Sequence, residues 1–172
     1  MNLNDTDFKL FDVPATFVQD RSALDARWKS LQHEVHPDRF AAQGPAAQRI
    51  AMQWSVRINE AYQRLKDPVR RATYLCELHG APVNAEDNTA MPAEFLMQQM
   101  EWRESLDEAA DEADLDRLRA EVASTRARAL SSLDSLIDEK GDYASAARQV
   151  RALMFIVRFA HDIEMKADSL GQ

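Results

Sequence analysis

The tripeptide His36-Pro37-Asp38 stands between two amphipathic stretches and decides how the first half of the chain is organised. The stretch before it begins at Asp20, a typical N-cap residue, and its apolar positions follow one helical stripe: Leu24, Trp28, Leu31 and Val35. Because Pro37 disfavours the helical conformation at His36, the helix is predicted to end there. The next helix is predicted from Pro45, with an inner face of Ala51, Trp54, Ile58, Ala61, Tyr62 and Leu65. The two helices therefore form a hairpin whose connecting loop, residues 36–44, carries the tripeptide.

Proline and glycine indicate where helices begin and end in the rest of the chain. Asp67 and Pro68 predict the cap and first residue of a third helix, which Gly80 ends. Residues 81–91 have little helical periodicity and are predicted to be a linker. Beyond it, three helices are predicted, over about 92–110, 113–139 and 143 onward, and their short connections favour an antiparallel bundle. The inward stripes of the last two are Leu115, Leu118, Val122, Ala129, Leu133 and Leu136, and Tyr143, Ala147, Val150, Met154, Val157 and His161.

The composition excludes several classes of protein. Four glycines and six prolines in 172 residues are about half the average share, which disfavours a turn-rich β fold. The longest apolar run, residues 152–157, is far shorter than the roughly 20 residues of a membrane-spanning helix. The first residues lack the features of a targeting peptide. The single cysteine, Cys76, excludes an internal disulfide and a cysteine-based zinc or iron–sulfur site. We therefore expect a soluble, intracellular, mainly helical protein.

Charge is distributed unevenly along the chain. Residues 1–80 hold 10 acids and 11 bases, whereas residues 81–172 hold 19 acids and 10 bases, which together give the net charge of −8. A chain this acidic is a poor nucleic-acid binder, because phosphate contacts need a basic surface. The asymmetry indicates two units with different partners.

The motifs around the tripeptide resemble a known family. His-Pro-Asp between two helices, followed over residues 58–74 by the pattern I-N-x-A-Y-x-x-L-x-D-P-x-x-R-A-x-Y, is similar to a J domain. Three further segments narrow the resemblance to the HscB family, the J-type co-chaperones of iron–sulfur cluster assembly: Phe11-x-Val13-Pro14, Leu78-His79-Gly80, and F-L-M-x-Q-M-E-x-R-E over residues 95–104. The resemblance spans nearly the whole chain. It implies an all-α fold with an N-terminal J domain over residues 1–80 (a helical hairpin with the HPD loop), the linker 81–91, and a three-helix scaffold-binding domain over 92–172.

The resemblance also implies a first binding surface. In J domains the HPD tripeptide and a basic face on the preceding helix touch an ATPase chaperone of the HscA or DnaK type. The corresponding residues here are His36, Pro37, Asp38, Arg27, Lys29 and Arg39. The bases of this helix are offset by as many acids, which departs from strongly basic J domains and predicts weaker electrostatic steering.

Helical periodicity indicates a second surface. Phe95, Trp102 and Leu106 share one face of their helix, whereas Leu96, Met97 and Met100 lie about 100–200° away, where they cannot join the same core. Phe155 and Phe159 are likewise predicted to lie away from the core stripe of the last helix. The resemblance implies that such a patch binds an iron–sulfur scaffold protein of the IscU type, through Leu96, Met97, Met100, Glu101, Glu104, Glu108 and Phe155. Packing of the two units over this patch stays open, as does the membership of Phe159.

Three clusters are set aside. His33, His36 and Asp38 have a metal-like spacing, but Pro37 breaks the helix between them. Cys76 near His79 lacks an orienting third group and is predicted to be a buried structural thiol. His161 is predicted to be a core residue of the last helix.

We therefore expect a co-chaperone of the bacterial cytoplasm that is not an enzyme, has no cofactor or metal, and contacts neither nucleic acid nor membrane. Two alternatives stay open: a J protein serving a different client, and a helical bundle without a chaperone role that binds a ligand or metal.

Overall fold

The structure, a computed structural model, describes residues 1–171. The chain divides into two compact units, Met1–Leu75 and Cys76–Gln172. Each element of the described range is helical. The predicted limits of the J domain at residue 80 and of the bundle at residue 92 stay predictions, since a compact unit is not by itself an independently folding domain.

The first unit contains the predicted helical hairpin. Its elements are α1 (Asp7–Leu10), α2 (Arg21–Val35), a 3-10 helix (Pro37–Gln43), α3 (Pro45–Lys66) and most of α4 (Pro68–Leu78). The predicted cap of α2 is confirmed, because the Asp20 carboxylate accepts from the amides of Ser22 and Ala23. The connection predicted to be a loop is instead a 3-10 helix over residues 37–43, which periodicity could not reveal because it presents no buried residue.

Polar and aromatic contacts fix α2 against α3. The indole Nε1 of Trp28 and the amide of Gln32 both donate to Oδ1 of Asn59, over 2.9 and 2.7 Å. Ser55 donates its hydroxyl proton to Gln32. The Trp28 ring also stacks on Tyr62, with centroids 4.8 Å apart. These contacts lie at the edge of the core, so Trp28 is only half-buried, whereas Leu24, Leu31 and Val35 are buried as predicted.

A buried carboxylate attaches α1 to α3. Asp7 is fully buried, and its oxygens lie 2.8 Å from Nη1 of Arg57 and 2.6 Å from Nε of Arg64. The Asp7 amide donates to the hydroxyl of Tyr74 on α4 over 3.0 Å. A buried charge is tolerated only when it is paired, so both arginines are part of the fold of this unit.

The second unit is built on three long helices. They are α5 (Ala93–Glu108), α6 (Glu112–Leu133), which continues into a π-helical turn (Asp134–Glu139), and α7 (Tyr143–Leu170). The predicted α6 stripe is buried except for its last member, since the π turn brings Ile137 into the core in place of Leu136. Asp111 and Asp142 cap α6 and α7, each accepting from an amide three residues later.

The segment 81–91 is attached to the second unit. Val83 is buried, and the buried guanidinium of Arg151 on α7 donates to the carbonyls of Val83 and Ala90 over 2.8 and 2.9 Å. His79, just after α4, stacks on Tyr143 with centroids 3.9 Å apart. Residues of the predicted linker therefore contact α7 at Arg151, in the part of the helix near its start.

The predicted inner stripe of α7 is partly wrong. Val157 is 52% exposed and His161 is exposed, whereas Phe159, predicted to lie on the outer side, is fully buried. The reason is that residues 79–90 cover one face of α7 only near its start. Farther along α7, only the face that carries Phe159 and Ile163 is buried.

Candidate functional site

The HPD corner is formed by His36, which ends α2 and caps the 3-10 helix. Its backbone is extended, with φ −59° and ψ 129°, as the following proline requires. Nδ1 of His36 accepts from the amide of Asp38 over 3.2 Å, and the His36 carbonyl accepts from the amide of Arg39 over 3.0 Å. The corner is therefore a capped turn rather than a flexible loop.

Both ionisable side chains of the corner face solvent. The side chain of His36 is 57% exposed and that of Asp38 is 91% exposed. Because Nδ1 accepts this backbone hydrogen bond, Nε2 is the ring nitrogen left for a partner. The corner therefore offers a partner one N–H donor and one carboxylate, the group that arginine binds bidentately.

The three basic residues predicted to act with the HPD corner differ in their exposure and their contacts. Lys29 is exposed, Arg27 is half-buried, and Arg39 donates to the carbonyl of His33 over 3.3 Å. Arg21 at the start of α2 is paired with Asp25 over 2.9 Å. The pKa of Asp25 is lowered, first by the hydrogen bond from the Tyr62 hydroxyl and then by Arg21. Arg21 and Asp25 therefore compensate each other at the start of α2, away from the corner.

The apolar side chains predicted for the second surface are exposed on α5. Leu96 is 48%, Met97 69% and Met100 72% exposed, whereas Phe95 and Trp102 on the opposite side are buried. Large exposed apolar groups that adjoin one another are typical of interaction surfaces, and methionine adapts to varied partners. We call Leu96, Met97, Met100 and Phe155 the α5 patch.

Phe155 is the one member of the α5 patch that α7 contributes. It is half-buried, and its ring packs edge-on against Phe95, the neighbour of Leu96, with centroids 5.6 Å apart. The ring also stacks on the buried Phe159, 5.8 Å away. Phe159 is fully buried and so lies beneath the patch rather than in it.

Acidic residues border the α5 patch. Glu101, Glu104 and Glu108 are all exposed on α5. The amide of Gln98 lies 3.4 Å from Oε2 of Glu101. An apolar patch with a negative rim favours a partner whose apolar contact region is bordered by bases.

Comparisons with known proteins identify relatives that cover nearly the whole chain and a family model that covers its second unit in part. Residues 91–164 match the family model described as the HSCB C-terminal oligomerisation domain. The chain is 50% identical to a co-chaperone protein HscB homolog of Burkholderia multivorans, over 99% of this chain and 98% of that protein. The chain belongs to the HscB co-chaperone family. A second HscB homolog, from Paraburkholderia xenovorans, is also 50% identical, over 98% of each chain.

Solved HscB structures have the same fold. HscB from Vibrio cholerae superposes with a TM-score of 0.82 at 36% identity, covering 96% of this chain and 99% of that one. Human HscB gives a TM-score of 0.88 at 26% identity, covering 96% and 84%. HscB structures have an N-terminal J domain and a C-terminal helical bundle, so the predicted fold class is confirmed. Membership of the HscB family suggests a non-catalytic protein and implies an Hsp70-type chaperone as a partner.

The three clusters set aside from the sequence have distinct environments in this HscB-family chain. Over residues 1–171 no group of three or more His, Cys, Asp or Glu side chains is placed to hold a metal ion. Cys76 is fully buried, and desolvation raises the pKa of its thiol to about 11. His161 is exposed rather than in the core. Within the same range, no helix combines the length and apolar character needed to cross a bilayer.

Proposed function

We propose that the chain stimulates the ATPase of an HscA/DnaK-type chaperone and delivers an IscU-type iron–sulfur scaffold protein to it. The observation that carries the proposal is that each unit exposes one surface of the predicted kind. The first has the HPD corner, with Asp38 91% exposed, and the second has the α5 patch, with Met97 69% exposed.

The HPD corner supplies the signal to the chaperone. Pro37 and the hydrogen bond between His36 and Asp38 order the turn before binding, so less conformational entropy is lost on contact. The Asp38 carboxylate accepts from a chaperone arginine, and Nε2–H of His36 donates to a chaperone acceptor. Arg27, Lys29 and Arg39 add modest electrostatic attraction. Contact promotes ATP hydrolysis and so favours the ADP state that grips the client.

The α5 patch holds the scaffold. Leu96, Met97, Met100 and Phe155 provide the apolar contact, and Glu101, Glu104 and Glu108 select a partner with a basic rim. A chain that binds both partners raises their effective concentration for each other without adding chemistry. The iron–sulfur cluster is cargo of the scaffold and needs no ligand from this chain.

Chaperone ATP turnover tests the proposal, measured with and without the scaffold. Replacing Leu96, Met97 and Phe155 by Ala is expected to weaken scaffold affinity more than a hundredfold, since each of the three anchors contributes on the order of 1 kcal/mol or more. Stimulation in the absence of scaffold should stay at the wild-type level.

The matched control replaces three exposed apolar residues outside the α5 patch, Met52, Val157 and Met165, by Ala. It should leave scaffold affinity within about twofold, as surface substitutions usually do. If the wild type binds the scaffold and the patch variant binds it with the same affinity, the assignment of the patch is refuted. Chaperone stimulation with no scaffold binding at all would indicate a J protein that serves a different client.

A further inference from the structure

Arg103 on α5 is held at three points by α7. It is the only base in residues 101–116, among eight acids. The centre of its guanidinium lies 5.5 Å from the ring centroid of Phe155 and 5.2 Å from that of Phe159. Its Nη1 donates to Oδ2 of Asp162 over 2.8 Å. Both rings and the carboxylate therefore determine where the guanidinium lies.

The two rings differ in how firmly the rest of the unit holds them. Phe159 is fully buried and stacks on the buried Trp102, with centroids 5.4 Å apart. Phe155 is half-buried, meets Phe95 edge-on and stacks on Phe159 with centroids 5.8 Å apart. Because Phe159 is fixed by the core, the guanidinium that contacts both rings adds a second constraint on Phe155 to the direct stacking of the two rings. Cation–π contacts of this kind favour one ring orientation over the others.

The charge of Arg103 is compensated within the protein. Its side chain is 50% exposed and that of Asp162 is 40% exposed, yet the two form a direct ion pair. The guanidinium is thus paired with a carboxylate on one side and in contact with the two aromatic rings. Its sequence position also places it on the patch side of α5, seven residues after Leu96 and three after Met100.

We propose that Arg103 is a positioning residue that holds the Phe155 ring in the orientation in which the α5 patch binds its scaffold partner. The inference rests on the proposed function of the patch. Arg103 acts through Phe155 rather than by touching the scaffold. Asp162 supports it by orienting the guanidinium.

The first test uses the free protein and needs no scaffold. The aromatic proton NMR signals of Phe155 are compared in the wild type, Arg103→Ala and Arg103→Lys. We expect the Ala variant to shift the Phe155 signals strongly and the Lys variant to shift them less, since lysine keeps the cation but not the planar face. Arg126→Ala, which removes the same charge from an exposed position on α6, should leave them unchanged. Unchanged Phe155 signals in Arg103→Ala would overturn the positioning role.

The second test is a double-mutant cycle on affinity for the IscU-type scaffold protein. Arg103→Ala is expected to weaken binding about five- to tenfold in the wild-type background, and less than about twofold when Phe155 is already Ala. Equal losses in both backgrounds would mean a direct contact with the scaffold and would overturn the proposal. If Phe155→Ala alone left affinity unchanged, the assignment of the patch would fail, whereas the NMR comparison would still decide whether Arg103 positions the ring.

Discussion

Nδ1 of His36 accepts a hydrogen bond of 3.2 Å from the backbone amide of Asp38, so the histidine caps the helical turn that presents the aspartate. The His36 side chain is thus coupled to the backbone that presents Asp38 before any partner arrives. With Nδ1 accepting, Nε2 is the ring nitrogen left for a partner.

Replacing His36 by Gln is expected to abolish ATPase stimulation, because glutamine is a poor cap for the amide of Asp38 and lacks the ring donor. Scaffold affinity should stay within about twofold, since the α5 patch belongs to the other unit. Turnover assays and titration with the scaffold measure the two properties separately. His161→Gln makes the same change at an exposed position of α7 and should preserve both. Full stimulation by His36→Gln would contradict the role of the corner.

Replacing Gly44 by Ala is expected to destabilise the end of the 3-10 helix. Gly44 has φ +99° and ψ 173°, which side-chain-bearing residues rarely adopt, although no heavy atom lies within 4 Å of an added Cβ. The cost is therefore backbone strain of roughly 2 kcal/mol, measurable as a lower free energy of unfolding in urea. Gly171→Ala, at φ −77°, should change it by less than about 0.5 kcal/mol. Equal effects of the two substitutions would argue against strain at Gly44.

Replacing Asp7 by Asn is expected to destabilise the first unit strongly. The change leaves Arg57 and Arg64 without the buried carboxylate that pairs with them at 2.8 and 2.6 Å. Breaking a buried pair in this way costs roughly 3 kcal/mol, which thermal unfolding should record as a lower Tm. Glu60→Gln, an exposed carboxylate on α3, is the matched control and should have little effect. If the Tm of Asp7→Asn were the same as that of the wild type, the buried pair would contribute nothing to stability.

Burial of Cys76 makes stability depend on pH in the alkaline range. Desolvation raises the pKa of the folded thiol from 9.0 to about 11, so only the unfolded chain releases this proton between those values. The contribution is fully present below pH 9 and is lost as pH rises towards 11, because the unfolded state then binds fewer protons. The difference in unfolding free energy between wild type and Cys76→Ala should therefore shrink from pH 8 to pH 10.5. A constant difference over that range would contradict a raised pKa.

Capping residues and prolines made the helices predictable. Asp20, Pro45 and Pro68 each act locally, through their own backbone or a side chain bonded within a few residues, and α2, α3 and α4 begin beside them. The outward position of Met97 was predictable too. The helix α5 has a single buried face, so the 3.6-residue helical period is enough to place Met97 on the other side.

Features that depend on distant segments were not predictable. Val157 and Phe159 were assigned to the wrong sides of α7, because the face buried near its start is covered by residues 79–90, about 60 positions earlier in the chain. Asp7 carried no sign that two arginines, 50 and 57 residues farther along the chain, would enclose it. The contacts of Arg103 could not be predicted from the sequence, because they depend on how α5 and α7 are aligned with each other.

The central claim is that one chain must carry both surfaces, and mixing two defective variants tests it most directly. ATP turnover of the HscA-type chaperone is measured with the IscU-type scaffold and with wild type, His36→Gln, the Leu96/Met97/Phe155 triple-Ala variant, or an equimolar mixture of the two variants. We expect the wild type to give a scaffold-dependent increase in turnover, and the mixture to give only the scaffold-independent stimulation of the triple-Ala variant, because neither molecule links the two partners. A mixture that reproduces the full scaffold-dependent turnover of the wild type would contradict the account.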